Sequence, residues 1–302
     1  MWAGRAEAYL GSFAGLCAHP AGTLLDAAGV GVGCRVLDVG TGPGTVAALA
    51  RERGAVVVAV DAEASMVEAA RRRVRGVRVA EARLPELPFE GGAFDVAVAN
   101  FVVNHVGDPA AAVRELRRVV RPGGRVAVTI WPQPAPPLQR MWGEVLEATG
   151  LAPVATAAHG QTPAAGEAPV TVGTRLDTRG EAGVRGHGPT GTPPVGGRVR
   201  VSAERDFART AEGLAGLLAG AGLTGVRCET VAWTHRVGVD EWWTGPANGL
   251  GALGMVLDGQ PVAVVERVRR AYDQVSAAYL GADGRLALPT AALLASGTVT
   301  GP

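Results

Sequence analysis

A glycine loop set between a wholly apolar strand and a helix-forming run constrains this chain more than any other stretch. It lies in RVLDVGTGPGTVAALA, Arg35 to Ala50. Val36, Leu37 and Val39 form the continuous apolar run of a strand covered on both faces, which calls for a parallel sheet with helices above and below. Gly40, Gly42 and Gly44 carry no Cβ, so a ligand can lie against the main chain, and N–H groups at the start of the following helix favour an anion. Asp38 narrows the choice of ligand. An aspartate in the strand beside the loop is costly to bury unpaired, and it repels a phosphate while attracting an ammonium group. The expected ligand end is an amino-acid zwitterion, its carboxylate on the loop N–H groups and its amine near Asp38.

A dinucleotide fingerprint needs a glycine three positions after the second one. Thr45 stands there, so the spacing is GxGxG. With Asp38, Gly40, Thr41, Gly42 and Gly44 in place, the loop resembles motif I of class I S-adenosylmethionine-dependent methyltransferases. A glycine turn with no ligand is the bland alternative.

The stretches that follow extend the pattern. AVVVAVD reads as a second strand, Ala55 to Val60, closed by Asp61, twenty-three positions after Asp38. An acid at the carboxyl end of the second strand is where a doubly wound fold holds a ribose by both hydroxyls, and a carboxylate can accept both bonds. Asp61 as a helix N-cap is the competing account, and the two roles can coexist. Ala62 adjoins it, and Met66, on the next helix, offers a soft side chain to an adenine face. A third strand, Val77 to Ala80, ends at Glu81 and Ala82, an acceptor and an N–H suited to an adenine ring edge. A fourth, Phe94 to Ala99, ends at Asn100. Asp108-Pro109 starts a helix as N-cap and first residue, and RPGG, Arg121 to Gly124, turns into a fifth strand from Arg125 to Ile130. This block, with LPF before an FD-containing strand and PGG before the fifth, is similar to the methyltransferase type 11 group over Arg35 to Trp131. The resemblance implies a doubly wound α/β, seven-stranded Rossmann-like sheet and S-adenosylmethionine held by Asp38, Gly40, Thr41, Gly42, Gly44, Asp61, Ala62, Met66, Glu81, Ala82 and Asn100.

Composition removes alternatives. Lysine is absent, all 29 basic residues being arginine, which excludes Schiff-base and P-loop chemistry and weighs against a nicotinamide oxidoreductase. A net charge of +1 leaves no footprint for nucleic acid or an anionic membrane, and no apolar run reaches bilayer length. The fourth strand ends in ANFVV, unlike the [DN]PP[YF] of adenine N6-methyltransferases, so a flipped base is not the expected acceptor. Cys17, Cys34 and Cys228 are odd in number and form no CxxC pair, which points to reduced thiols, a cytoplasmic setting and no metal site. The arginines of RRRVRGVR read as a solvated helix end.

Four regions follow: an N-terminal helical lead-in of two short helices, 1–33; a cofactor-binding core, 34–152; a Gly/Pro-rich flexible insert, 153–200, with a lid as its functional alternative; and strands six (Val226 to Val237) and seven (Leu286 to Leu294), 201–302, separated by a helical cap insertion. The expected acceptor is a small, hydrophobic metabolite methylated at oxygen, nitrogen or carbon. His105, after the fourth strand, and His235, at the end of the sixth, are the candidate bases; each also reads as an ordinary structural histidine. His159 and His187 fall in the insert. Tyr9, Trp131, Trp233, Trp242 and Trp243 are the candidate acceptor contacts, with cap packing the competing account. Oligomeric state stays open, a homodimer included. A nicotinamide-dependent oxidoreductase and a non-methylating S-adenosylmethionine-binding protein are the alternative functions.

Overall fold

The apolar run that opens the glycine motif becomes the middle of a sheet in the computed structural model, which describes residues 4–151 and 206–301. The strands are β1 (Arg35–Val39), β2 (Val56–Asp61), β3 (Arg78–Glu81), β4 (Phe94–Asn100), β5 (Val120–Ile130), β6 (Leu223–Gly238) and β7 (Arg285–Val299), in the order β3-β2-β1-β4-β5-β7-β6. β1 pairs in parallel with both β2 and β4, β2 with β3, and β4 with β5. β7 runs antiparallel to β5 and β6. The strand order reverses between β1 and β4, which puts the crevice expected of a doubly wound sheet at the carboxyl end of β1.

Alternation along β1 divides the core into two layers. Val36 points to one face, where α3 (Ala21–Ala27) contributes Ala21, Leu24 and Leu25 and α4 (Thr45–Glu52) contributes Val46, Ala47 and Ala50. Leu37 points to the other, against Ala112, Val113 and Leu116 of α6 (Pro109–Val119) and Leu214 and Leu218 of α8 (Ala211–Gly220). The expected cap at Asp108 forms, its carboxylate accepting from the Ala111 N–H at 2.8 Å, and a second cap forms at Thr210, whose hydroxyl accepts from the Gly213 N–H at 3.1 Å. Each satisfies a donor that the first turn leaves without an intrahelical partner.

A third apolar cluster lies beyond the sheet edge. The insertion between β6 and β7 folds as α9 (Val239–Ala247), α10 (Gly251–Leu257) and α11 (Val262–Ser276), which pack with α7 (Pro137–Thr149) around Met141, Val145, Trp242, Val268 and Tyr272. α11 stops at Ser276 and tightens into a 3₁₀ turn, Ala277–Tyr279. The lead-in holds three short helices where two were expected: α1 (Ala6–Leu10), α2 (Phe13–Ala18) and α3. Breaks at Gly11-Ser12 and His19-Pro20 separate them. The insert at 153–200, with His159 and His187, lies outside the described residues. Among the described residues, no helix is long and apolar enough to cross a membrane.

The RPGG segment belongs to β5. Phe94 pairs with Val120, and the register then jumps to Val96 with Arg125, so the four residues form an excursion within the strand. Gly124 is where that excursion touches β4: a Cβ there would lie 2.4 Å from the Asp95 carbonyl oxygen and 2.5 Å from Val120 Cγ1. Since backbone must shift to admit a methyl, Gly124→Ala is expected to destabilise the fold by about 1–3 kcal/mol, read as a lowered urea midpoint at unchanged slope.

Candidate functional site

The glycine loop, residues 40–44, crosses the carboxyl end of β1 and closes on itself. The N–H groups of Gly40 and Thr41 donate to the Val60 carbonyl at 2.8 and 3.0 Å, that of Gly42 to Asp61 Oδ2 at 2.8 Å, and that of Gly44 to the Thr41 carbonyl at 3.0 Å. This corrects the expectation that these loop N–H groups hold a ligand carboxylate, because β2 and the loop's own turn already occupy them. Amides suited to an anion lie one step later, at Thr45 and Val46 in the first turn of α4, where a helix supplies no i−4 acceptor.

The three glycines divide their work. All have positive φ, at 68°, 55° and 90°. A Cβ on Gly40 would strike Val102 Cγ2 at 2.3 Å and one on Gly44 would strike Val74 Cγ2 at 2.5 Å, so both are required by packing. Only Gly42 faces space, with Tyr9 Cε1 at 4.0 Å from its would-be Cβ. That space is a cleft lined by Gly40, Thr41, Gly42, Pro43, Thr45 and Val46 from the loop and α4. Tyr9, Ala14, Cys17 and Ala18 line it from the lead-in helices, and Asn100 from β4.

Two carboxylates lie beneath the loop. Asp38, only 1% exposed, accepts from the Thr41 hydroxyl at 2.6 Å through Oδ2, while Oδ1 is buried without a hydrogen bond. Burial pushes its pKa up to about 7, against the opposing pull of the Thr41 hydroxyl and the Ala47 N–H, neither of which completes a bond to Oδ1. Asp61 accepts from the Gly42 N–H through Oδ2 and from the Glu63 N–H through Oδ1 at 3.0 Å. Burial raises its pKa too, with these amides opposing the rise. Asp61 thus supports the entry to α5 (Ala64–Arg73), although Glu63 is that helix's N-cap.

Other expected contacts are redistributed. The Ala82 N–H donates to the Asp61 carbonyl at 3.0 Å, continuing the β2–β3 ladder, so it is not available to a ring nitrogen. Glu81 is exposed at the end of β3, in register with Asp61, and Ala62 is half-buried beside it. Met66 is 4% exposed and packs against Ala6, Ala69 and Tyr9 beneath α1, where it meets protein and not an open face. α1 is tied at its N-terminal end: Glu7 pairs with Arg72 of α5 at 3.3 Å, and Arg5 pairs with Asp258 at 3.0 Å and donates to the Gly249 carbonyl. The Tyr9 hydroxyl is buried against Cys17 and near Asp61, which raises its pKa well above the usual value.

α2 separates the cleft from a second group of side chains. Ala14, Cys17 and Ala18 face the cleft. On its other side, His235 Cε1 lies 3.9 Å from the would-be Cβ of Gly15, and the His19 ring stacks on Trp233 at 4.7 Å. Trp233 leads to Trp131, 6.2 Å away, and Trp131 stacks on Phe101 at 3.9 Å. Phe101 and His19 carried no readable signal in the sequence, since each depends on the packing of remote elements. Trp243 instead packs on Tyr272 at 5.3 Å within the cap, and Trp242, fully buried, meets Phe13 and Trp142; cap packing accounts for both. His235 touches Trp242 at 5.3 Å, and its pKa is lowered, chiefly by burial. His105 is exposed on the 3₁₀ turn Val103–His105, away from the cleft lining, with Nε2 3.3 Å from Asn104 Nδ2.

Five buried polar atoms outside the cleft lining lack a hydrogen-bond partner: Asn104 Oδ1, Gln139 Nε2, Trp233 Nε1, His235 Nε2 and Trp242 Nε1. Thr290 links two of their residues, facing Trp233 across the β6–β7 ladder and donating to Gln139 Oε1 at 3.2 Å. Leaving such atoms unpaired costs about 1–3 kcal/mol each.

A family model described as a methyltransferase domain matches residues 37–128. The chain is 38% identical over 143 residues to a malonyl-[acyl-carrier protein] O-methyltransferase of Salmonella typhimurium, covering 47% of this chain and 57% of that protein. It is 38% identical over 111 residues to a demethylmenaquinone methyltransferase of Clavibacter sepedonicus, covering 36% and 45%. The chain thus spans about half the length of these curated relatives. In fold it is similar to the YcgJ protein of Bacillus subtilis, with a TM-score of 0.51, 18% identity and 94% and 99% of the two chains covered. The likeness is thus to a methyltransferase domain, carried by residues 37–128 on a seven-stranded sheet.

Proposed function

We propose that the protein transfers a methyl group from S-adenosylmethionine to a small-molecule acceptor. The observation that carries this reading is the pair of buried carboxylates under a single open glycine, Gly42, at the switch point of the sheet. The residues fit the cofactor. Asp38 Oδ1 is a bare buried acceptor suited to a cationic amine, the open side of Gly42 is space that a Cβ would fill, and the oxygens of Asp61 keep lone pairs for two hydroxyls. When bound, S-adenosylmethionine supplies an activated methyl on a sulfonium leaving group. The chain's own residues then hold and align. Asp61 orients the ribose, the first-turn amides of α4 take the carboxylate, and Tyr9 with α2 excludes water.

On the acceptor side, Phe101, Trp131, Trp233 and His19 offer flat apolar surface at the carboxyl edge of the sheet. The unpartnered polar atoms beside them suit a guest that carries oxygen or nitrogen atoms. Burial holds His235 neutral, the form able to accept a proton, and it is the better-placed of the two histidines to act as base. The relatives' acceptors, a demethylated menaquinone and a malonyl group on a carrier protein, are themselves dissimilar. A small hydrophobic metabolite in a cytoplasmic setting remains our reading for this chain. The GxGxG spacing and the acid beneath it disfavour a nicotinamide cofactor.

Two outcomes are expected. Asp61→Ala removes charge-assisted bonds of about 1.5–3 kcal/mol and should weaken S-adenosylhomocysteine binding by calorimetry roughly ten- to hundredfold; unchanged affinity in a folded variant would sink the assignment. The second outcome concerns pH. Because the folded pKa of Asp38 is raised from 3.8 to about 7, ligand-free stability should fall as pH rises across that window and level off above it. Asp38→Asn should flatten much of that slope in urea titrations. Binding of S-adenosylhomocysteine should tighten as pH rises through about 7, because a cationic amine favours the ionised carboxylate.

A further inference from the structure

Asn100 and its surroundings contain a hydrogen-bond chain that the proposed chemistry does not use. Asn100 Nδ2 donates to the Cys17 carbonyl at 2.8 Å, fastening the last turn of α2 to the end of β4. Its Oδ1 accepts from the Thr129 hydroxyl at 2.6 Å. Thr129 is fully buried in β5, directly opposite Asn100 in the ladder. The same hydroxyl oxygen accepts from the Phe101 N–H at 2.9 Å, a donor that also reaches the Thr129 carbonyl at 3.1 Å.

The chemistry of these groups leaves one arrangement. A carbonyl only accepts, so Cys17 requires the amide's NH₂ end, which turns Oδ1 toward Thr129. The hydroxyl is then a donor to Oδ1 and an acceptor from Phe101, with both capacities used. Phe101, at φ 57°, is the one non-glycine of positive φ among the described residues, and such a backbone conformation persists only where its surroundings hold it. Its ring, so placed, stacks on Trp131.

We propose that Thr129 is a positioning residue that sets both halves of the site through one hydroxyl. It orients the Asn100 amide so that α2 closes the cofactor cleft, and it holds Phe101 in the left-handed conformation that builds the aromatic wall on the acceptor side. This rests on the reading of the cleft as a cofactor site. A valine at 129 preserves shape and the backbone bond from Phe101 while deleting the hydroxyl. Asn100→Asp keeps Thr129 but presents a carboxylate oxygen to the Cys17 carbonyl, where two acceptors face one another.

The test uses the full chain and two readouts, amide hydrogen exchange without ligand and S-adenosylhomocysteine calorimetry. In Thr129→Val, exchange in α2 and the 101–105 turn should quicken about tenfold while β1 and β2 keep their protection. The dissociation constant should rise about three- to thirtyfold. Thr129→Ser should restore both readouts, and Asn100→Asp should reproduce the α2 loss. Unchanged exchange in α2, or an equal loss throughout the sheet, would overturn the proposal, since the second outcome means only a weakened core. If the wild-type chain gave no heat with S-adenosylhomocysteine, the reading of the cleft would fail, and the exchange measurements would still decide whether Thr129 clasps α2.

Discussion

The bond from the Gly42 N–H to the Asp61 carboxylate is the interaction on which the site depends. It joins the end of β2 to the crossing from β1 to α4, and through the Glu63 N–H the same carboxylate fixes the start of α5. A buried carboxylate is costly, and two backbone amides offset much of that cost. The raised pKa of Asp61 shows that the compensation is partial, so the group retains appetite for further donors. An acid that first shapes the loop and then serves a ligand makes a pre-formed site, with little left to order on binding.

The two halves of the site differ in how their polar groups are met. On the cleft side the amides at 40, 41, 42 and 44 are all paired internally, which makes the loop rigid and leaves the acids below it and the first turn of α4 as the groups open to a ligand. On the other side of α2, indole, amide and imidazole atoms are buried without partners. A rigid cradle suits a ligand that never changes. Unmet donors beside stacked rings suit a ligand specific to this chain.

Much of the fold was legible because its signals are local and periodic. Both caps, the five parallel strands and the glycine loop are where their residue patterns put them. Sequence-local reasoning failed where a group's partner is remote. The loop amides were expected to be open because no pattern reveals that Val60 and Asp61 lie beneath them. Ala82 was assigned a ligand contact because its ladder bond to Asp61 depends on strand register. Met66 was placed against adenine because nothing near it in sequence discloses that α1 covers it. The tryptophans divided for the same reason: Trp131 lies just past the end of β5 and Trp233 within the edge strand β6, whereas Trp242 and Trp243 are consecutive on a helix packed into the cap core. Asn100 was singled out by position alone, and its tie to Cys17 spans elements far apart in the chain.

The long pairing of β6 with β7 carries one more implication. Both strands run well past β5, so the projecting hairpin forms a stalk whose tip bears α9, α10 and α11, and the hydrogen bonds that complete the sheet lie at its base. Residues 239–284 are therefore a head set on that stalk, held from outside the hairpin by Arg5, Phe13 and α7. A change in its length would leave the strand pairing at the base intact and would be felt first where Arg5, Phe13 and α7 meet it.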